Sequence, residues 1–244
     1  MPAARSPVVM AGALCWLIQP VYLLVELLTV ARVSAPYSVR DNTISDAAAA
    51  TCTTVPYAWG EVPVCSPLSP LLNATTALSG IALAAGAVLL RSRLTRVRGT
   101  ILAVAVLSGL SLVGTGLVPL DVDLDLHLLV ALPQFVTFPL LLILLTVAVR
   151  ARSRAVALCT AVAAVVCVVG VLGFLVRIGE PHWGGLLERA ALWPVYLAVV
   201  PVAAVLVGPS SAHARARSSN RSASRDSGAT TPGTAAGSRS LPRS

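Results

Sequence analysis

The first residue of chemical interest is an acid inside an apolar run. Glu26 is the only charge in the stretch Val8–Ala31. Cys15, Gln19, Tyr22 and Glu26 follow one another at steps of four, three and four, so on a helix they share one face. That face must look into protein, because an acid turned to lipid costs about 2.5–3.5 kcal/mol even on insertion scales. An intramembrane acid is either a functional group or a structural one, protonated or paired. Arg32, Arg40, Arg177 and Arg189 are the available partners, and Arg40 and Arg189 flank helix ends on the side that Glu26 approaches. A second set of residue types suits metal chemistry. His127, His182, Glu188, Asp46 and Asp41 offer ligands for a catalytic zinc, which needs about three protein ligands and a water. One carboxylate would then serve as general base. Spacing argues against this, since the chain has neither an HExxH pair nor a Gly-x-Ser-x-Gly elbow. A third reading strings Glu26, Gln19 and Gln134 into a permeation path. The favoured reading, a non-catalytic one, expects no cofactor and no bound metal; only the hydrolase alternative would need the zinc.

The elements that must position these residues are membrane helices. The chain is 56% hydrophobic and 11% charged, against about 25% charged in a soluble domain. Its mean hydropathy is +0.83. A bilayer core needs about 20 apolar residues per helix. Six runs qualify: Val8–Ala31, Leu68–Leu90, Thr100–Val118, Leu126–Val149, Ala155–Val176 and Ala190–Gly208. The fold class is therefore all-α, a six-transmembrane-helix bundle over residues 1–208. The first run is longer than a signal-peptide core, so it is read as an uncleaved span, although Val33-Ser34-Ala35 faintly resembles a cleavage site. Pro194 and Pro201 interrupt the sixth run, which a bundle tolerates where neighbours satisfy the freed carbonyls.

Charge then orients the bundle. All 18 basic residues are arginine, which together with abundant Ala, Val and Leu suggests a GC-rich bacterial genome. The arginines flank apolar runs, so they speak for a membrane and against nucleic acid. Arg91, Arg93, Arg96 and Arg98 fill one short connection, and Arg150, Arg152 and Arg154 another, with no acid in either. Arg5 precedes the first run and six further arginines follow Gly208. Asp41, Asp46, Glu61, Asp121, Asp123, Asp125, Glu180 and Glu188 lie in the other connections. The arginine-rich side is expected to be cytoplasmic, with both termini there. This places the chain in a bacterial plasma membrane. Residues 209–244, rich in Ser and Arg, are expected to be a disordered cytoplasmic tail.

The outward connections hold the remaining candidates. Residues 33–67 are too long for a turn, and such loops are usually functional or disordered. Ser45 is positioned to cap a short helix over Asp46–Thr51. Cys52 and Cys65 are the cysteines outside the apolar runs, and an oxidising compartment would bridge them, contributing about 3 kcal/mol. His127 opens the fourth run, with Gln134 seven residues on. Arg177, Glu180, His182, Glu188 and Arg189 fill the last outward connection. Small residues at Thr76, Gly80 and Ala84, and Ser111 and Thr115 among glycines, read as close helix packing.

Several runs together resemble a known family. Tyr37-Ser38, Asn42-Thr43-Ile44-Ser45-Asp46, Cys65-Ser66-Pro67-Leu68 with Asn73, Gly114-Thr115-Gly116-Leu117-Val118-Pro119 before His127, and Gly185-Leu186-Leu187-Glu188-Arg189 resemble the bacterial integral membrane family catalogued as domain of unknown function 998. The resemblance covers roughly Val8 to Val207. Pro133 and Pro139 depart from the smoother fourth helix expected of it. It implies a multi-span membrane protein and no reaction. The expected function is non-catalytic binding of a small ligand, lipid or membrane partner protein. The expected site is an outward polar cluster of Glu26, Arg40, Asp41, Asn42, Ser45, Asp46, His127, Gln134, His182, Glu188 and Arg189. Transport and a metal-dependent hydrolase acting on lipid or envelope substrate are the alternatives.

Overall fold

The computed structural model describes residues 6–94, 96–177 and 180–208. Arg5 and the 209–244 tail lie outside them. Five long helices follow a kinked first one: α1 (Pro7–Leu17), α2 (Val21–Val30), α3 (Ile44–Ala47), α4 (Ser69–Leu89), α5 (Arg98–Leu117), α6 (Leu124–Val149), α7 (Arg154–Val176) and α8 (Gly184–Val207), with strands β1 (Thr53–Tyr57) and β2 (Gly60–Val64) between α3 and α4. Six spans are long and apolar enough to cross a membrane, with α1 and α2 together forming the first. The protein is a multi-pass membrane protein. Short connections gather residues 91–94, 96–97 and 150–153 at one end of the bundle. The 31–68 segment, 118–123 and the start of α8 gather at the other, which we call the cap end.

The first span departs from the single helix expected. Pro20 has no N–H to donate and cannot continue the ladder. The chain tightens there into three-residue turns, with Val21 N–H to Ile18 O at 3.0 Å and Tyr22 N–H to Gln19 O at 3.1 Å. Gln19, Tyr22 and Glu26 are nevertheless all buried, and Cys15 half-buried. Gln19 donates to Ser79 O at 3.0 Å, tying the kink to α4.

Helix pairs close on small residues. A Cβ at Gly80 would collide with Gly109 O, and Gly170 rests directly on the backbone of Ala190 and Ala191. Such contact is how bilayer helices gain packing without a hydrophobic driving force. Serine does more than pack. Pro133 disturbs the ladder of α6, and the Ser111 hydroxyl enters the gap. It accepts from Gln134 N–H at 3.2 Å and donates to Val130 O at 2.6 Å, bridging a pair that a regular helix would join directly. α6 thus continues through both prolines.

The long connection is an ordered cap. Its helix is α3, shorter than expected, and its cap is Thr43 rather than Ser45. Thr43 Oγ1 accepts from Asp46 N–H at 3.0 Å, and Asp46 Oδ2 accepts from Thr43 N–H at 2.8 Å. This is a reciprocal capping box, which stops the helix from needing Ser45. Beyond it lies an antiparallel hairpin that the sequence reading did not contain. Val55 pairs with Val62 and Tyr57 with Gly60. Gly60, at φ 149°, adopts a backbone that only glycine reaches easily. Cys52 and Cys65 flank the strands and form a disulfide, their Cα atoms 4.1 Å apart. Val55, Val62, Val64, Ala49 and Leu120 make a small apolar cluster beneath the hairpin.

Candidate functional site

The cap meets the bundle at the start of α8. This helix begins at Gly184, six residues before the expected Ala190, so Glu188 and Arg189 belong to its second turn and not to a connection. The first amides of a helix lack intrahelical partners. Here the cap supplies them: Gly185 N–H donates to Asp41 O at 3.1 Å and Leu186 N–H to Arg40 O at 3.0 Å. The approach demands glycine, because a Cβ at Gly185 would collide with Asn42 O.

Arg189 organises the contact. It is 2% exposed, and Glu26 is 0% exposed. Arg189 Nε donates to Glu26 Oε1 at 2.9 Å. Nη1 reaches three carbonyls, Val39 at 3.0 Å, Asn42 at 3.1 Å and Gly185 at 3.0 Å. Nη2 donates to the Tyr37 hydroxyl at 2.7 Å, which donates onward to Thr43 O at 2.8 Å. Glu26 Oε2 accepts from Trp193 Nε1 at 2.7 Å. Beside this pair, Glu188 Oε2 accepts from Ile44 N–H at 2.5 Å. Burial keeps the Tyr37 phenol well above its ordinary value, although Arg189 opposes the shift.

A second shelf lies around Asp46. Its carboxylate accepts from the Tyr57 hydroxyl at 2.6 Å and from Asn42 Nδ2 at 3.4 Å. Burial, then the Asp46 charge, raises the Tyr57 phenol, which stays a donor. Ser45 Oγ lies 3.0 Å from His127 Nε2, and His127 Nδ1 lies 2.7 Å from Val118 O. A carbonyl cannot donate, so Nδ1 carries a proton, and in a neutral ring Nε2 is then the acceptor for the Ser45 hydroxyl. Asn73 Nδ2 donates to Ala48 O at 2.8 Å, and Asp121 accepts from Ala50 and Thr51 amides at 2.8 Å. Thus α2, α4, α6, α8 and the 118–123 turn all hold the cap.

Of the expected site residues, Glu26, Asn42, Ser45, Asp46, His127, Glu188 and Arg189 lie in this buried network. Arg40 does not reach Glu26. Its side chain is exposed, pairs with Asp41 at 2.9 Å and lies 5.5 Å from the Trp183 ring. Hydrogen bonds from Arg40, then from Trp183 N–H, hold Asp41 well below the usual carboxylate range. His182 is exposed, 3.6 Å from Asp41. Gln134 sits deeper in the bundle, away from the cap, and its amide oxygen has no partner among the described residues. Trp193, Tyr37 and Tyr57 were not in the expected set. Trp193 lies four residues after Arg189 on one face of α8, a relation hidden by the expected helix start at Ala190. No three His, Cys, Asp or Glu side chains among the described residues are grouped to hold a metal ion.

Fold and site together define a polytopic six-span membrane protein whose disulfide-closed cap is docked on a buried Glu–Arg pair. The family model described as protein of unknown function (DUF998) matches residues 10–206, and the chain belongs to that family. No curated protein and no solved structure matches it.

Proposed function

We propose that this is a non-catalytic protein of the bacterial plasma membrane that presents its ordered cap, outside the cell, as a recognition surface. A membrane partner protein, a lipid head group or a small ligand would dock there. The observation that carries this reading is how fully the buried cluster is engaged within the chain. Every donor nitrogen of Arg189 has an acceptor in the protein. Glu26 and Asp46 are likewise engaged by side chains of the chain itself. Such a network fastens a surface and leaves recognition to the rim. The rim carries exposed Trp59, Trp183 and Arg40 with half-buried Asp41. Trp and Arg are the residues that most often carry binding energy at interfaces.

A photoreactive phenylalanine analogue placed at Trp59 or Trp183 in native membranes tests this. Discrete adducts are expected there, with none at the lipid-facing position Val136. Discrete adducts at Val136 alone would refute it. Orientation has its own test. Arginine bias puts the arginine-rich end in the cytoplasm, so a reporter fused after Val207 should be active only inside. Activity outside would invert the assignment.

A permeation path keeps one supporting observation: the amide oxygens of Gln19 and Gln134 and the Tyr196 hydroxyl are buried without partners among the described residues. Against it, Glu26 is engaged by Arg189 and Trp193, and Tyr22 stacks on Tyr196 with ring centroids 4.3 Å apart.

A further inference from the structure

The end of the bundle opposite the cap is unbalanced in charge. Arg91, Arg93, Arg96, Arg98, Arg150, Arg152 and Arg154 meet there with no acid in either connection. The long helices α5 and α7 also begin there. Each has an arginine at its first position and no acid in its first turn. A helix start carries roughly +0.5 of an elementary charge, so cations there repel it.

Topology alone would leave all seven arginines in solvent or among head groups. Five are exposed, but Arg93 and Arg152 are half-buried. They come from different connections, and burial, then the like charge of Arg93, holds Arg152 below the ordinary arginine value. Arg152 Nη1 is buried with no hydrogen-bond partner among the described residues. A guanidinium cannot shed its proton and accepts nothing, so it needs an acceptor. Water would supply one but would leave the repulsion between the two arginines uncompensated. An anion answers both. An apolar groove of about 390 Å³ between α6 and α7 starts at Thr146 and Val147, on the part of α6 that leads into the connection carrying Arg152. An acyl chain whose head group sat on the arginines would run into it.

We infer that Arg93 and Arg152 form a binding site for a phosphoryl group, the charged part of an anionic phospholipid or of a soluble phosphate. Planar guanidinium forks suit phosphate oxygens bidentately. The site does not depend on what docks at the cap.

The test compares Arg93→Gln/Arg152→Gln with Arg96→Gln/Arg150→Gln, which removes the same charge from exposed positions of the same connections. Each protein is reconstituted in nanodiscs of phosphatidylcholine and phosphatidylglycerol, and retained lipid is counted by native mass spectrometry. A parallel arm titrates inorganic phosphate into protein in pure phosphatidylcholine. Retention or affinity should fall about tenfold in the first variant, the equivalent of about 1.4 kcal/mol, and less than about twofold in the second. Loss in the phosphatidylglycerol arm identifies a lipid head group, and loss confined to the phosphate arm a soluble ligand. Equal loss in both variants, or no selective binding by the wild type, overturns the proposal. Should the first variant not fold, arginine modification by phenylglyoxal decides the matter on the wild type. The bound anion should protect Arg93 and Arg152 while Arg96 and Arg150 react. Uniform reactivity overturns the site.

Discussion

Glu26→Gln is expected to destabilise the protein by about 3–5 kcal/mol, the cost of leaving one member of a buried ion pair alone. Arg189 would keep its full charge at 2% exposure with its only carboxylate partner among the described residues neutralised. The neutral amide also takes up Trp193 Nε1–H less strongly than a carboxylate does. Asp123→Asn removes the same charge from the N-cap of α6, where Asp123 accepts from Leu126 N–H at 2.9 Å. Asparagine caps nearly as well as aspartate, so that change should cost less than about 0.5 kcal/mol. Denaturant unfolding in detergent reads the difference directly. Because the pair also holds Tyr37, Val39 and Asn42, a second readout follows. Amide exchange over residues 37–46 should rise in Glu26→Gln, and the Cys52–Cys65 disulfide should become easier to reduce. Arg189→Lys should loosen the same segment, since a point charge cannot span five separate acceptors. If Glu26→Gln and Asp123→Asn unfold alike, the pair does not anchor the cap.

How much of this was legible depended on whether a signal was local or relational. Span positions follow from long apolar runs, and five of the six expected starts fall within two residues of the observed helices. The sixth misled because Gly184-Gly185 is a poor helix opening and Glu188-Arg189 looks like a loop. Both judgements hold only while the cap is ignored. Cap carbonyls satisfy the first turn, and cap backbone surrounds the charges. The hairpin was hidden by Pro56 and Pro63, which argue against a strand in a wide sheet. A two-stranded ribbon has only edges, so each proline can face away from its partner. The Glu26–Arg189 pairing was legible as a need, because an acid at that depth requires a donor. Its choice over Arg40 was not, since Arg40 and Arg189 flank the same end in sequence. Geometry decides: Arg189 sits on a helix packed against α2, whereas Arg40 points into solvent beside Trp183.

Gly185→Ala should undock the cap without touching any charge. In the folded protein a Cβ there would overlap Asn42 O and lie 2.6 Å from Val39 O. Both atoms are backbone carbonyls, and both already accept from Arg189 Nη1. Neither can retreat by rotating a side chain, so the 39–42 segment must move as a unit. That movement would stretch the Gly185 N–H bond to Asp41 O, the Leu186 N–H bond to Arg40 O, and two of the Arg189 contacts. Overpacking of this kind typically costs about 1–3 kcal/mol, and about 1 kcal/mol more follows for each buried bond that breaks. Helix propensity works the other way, since alanine is favoured over glycine by up to about 1 kcal/mol in a helix. Gly99→Ala, also near a helix start, supplies the control, because nothing lies within 4 Å of its added Cβ. The expected pair of results is therefore opposite in sign: Gly99→Ala neutral or stabilising, Gly185→Ala clearly destabilising, with raised amide exchange confined to the cap and the first turn of α8. A stable Gly185→Ala protein with unchanged exchange over residues 39–46 would mean that the cap does not rest on α8 in the membrane, and the anchoring role of Arg189 would fall with it.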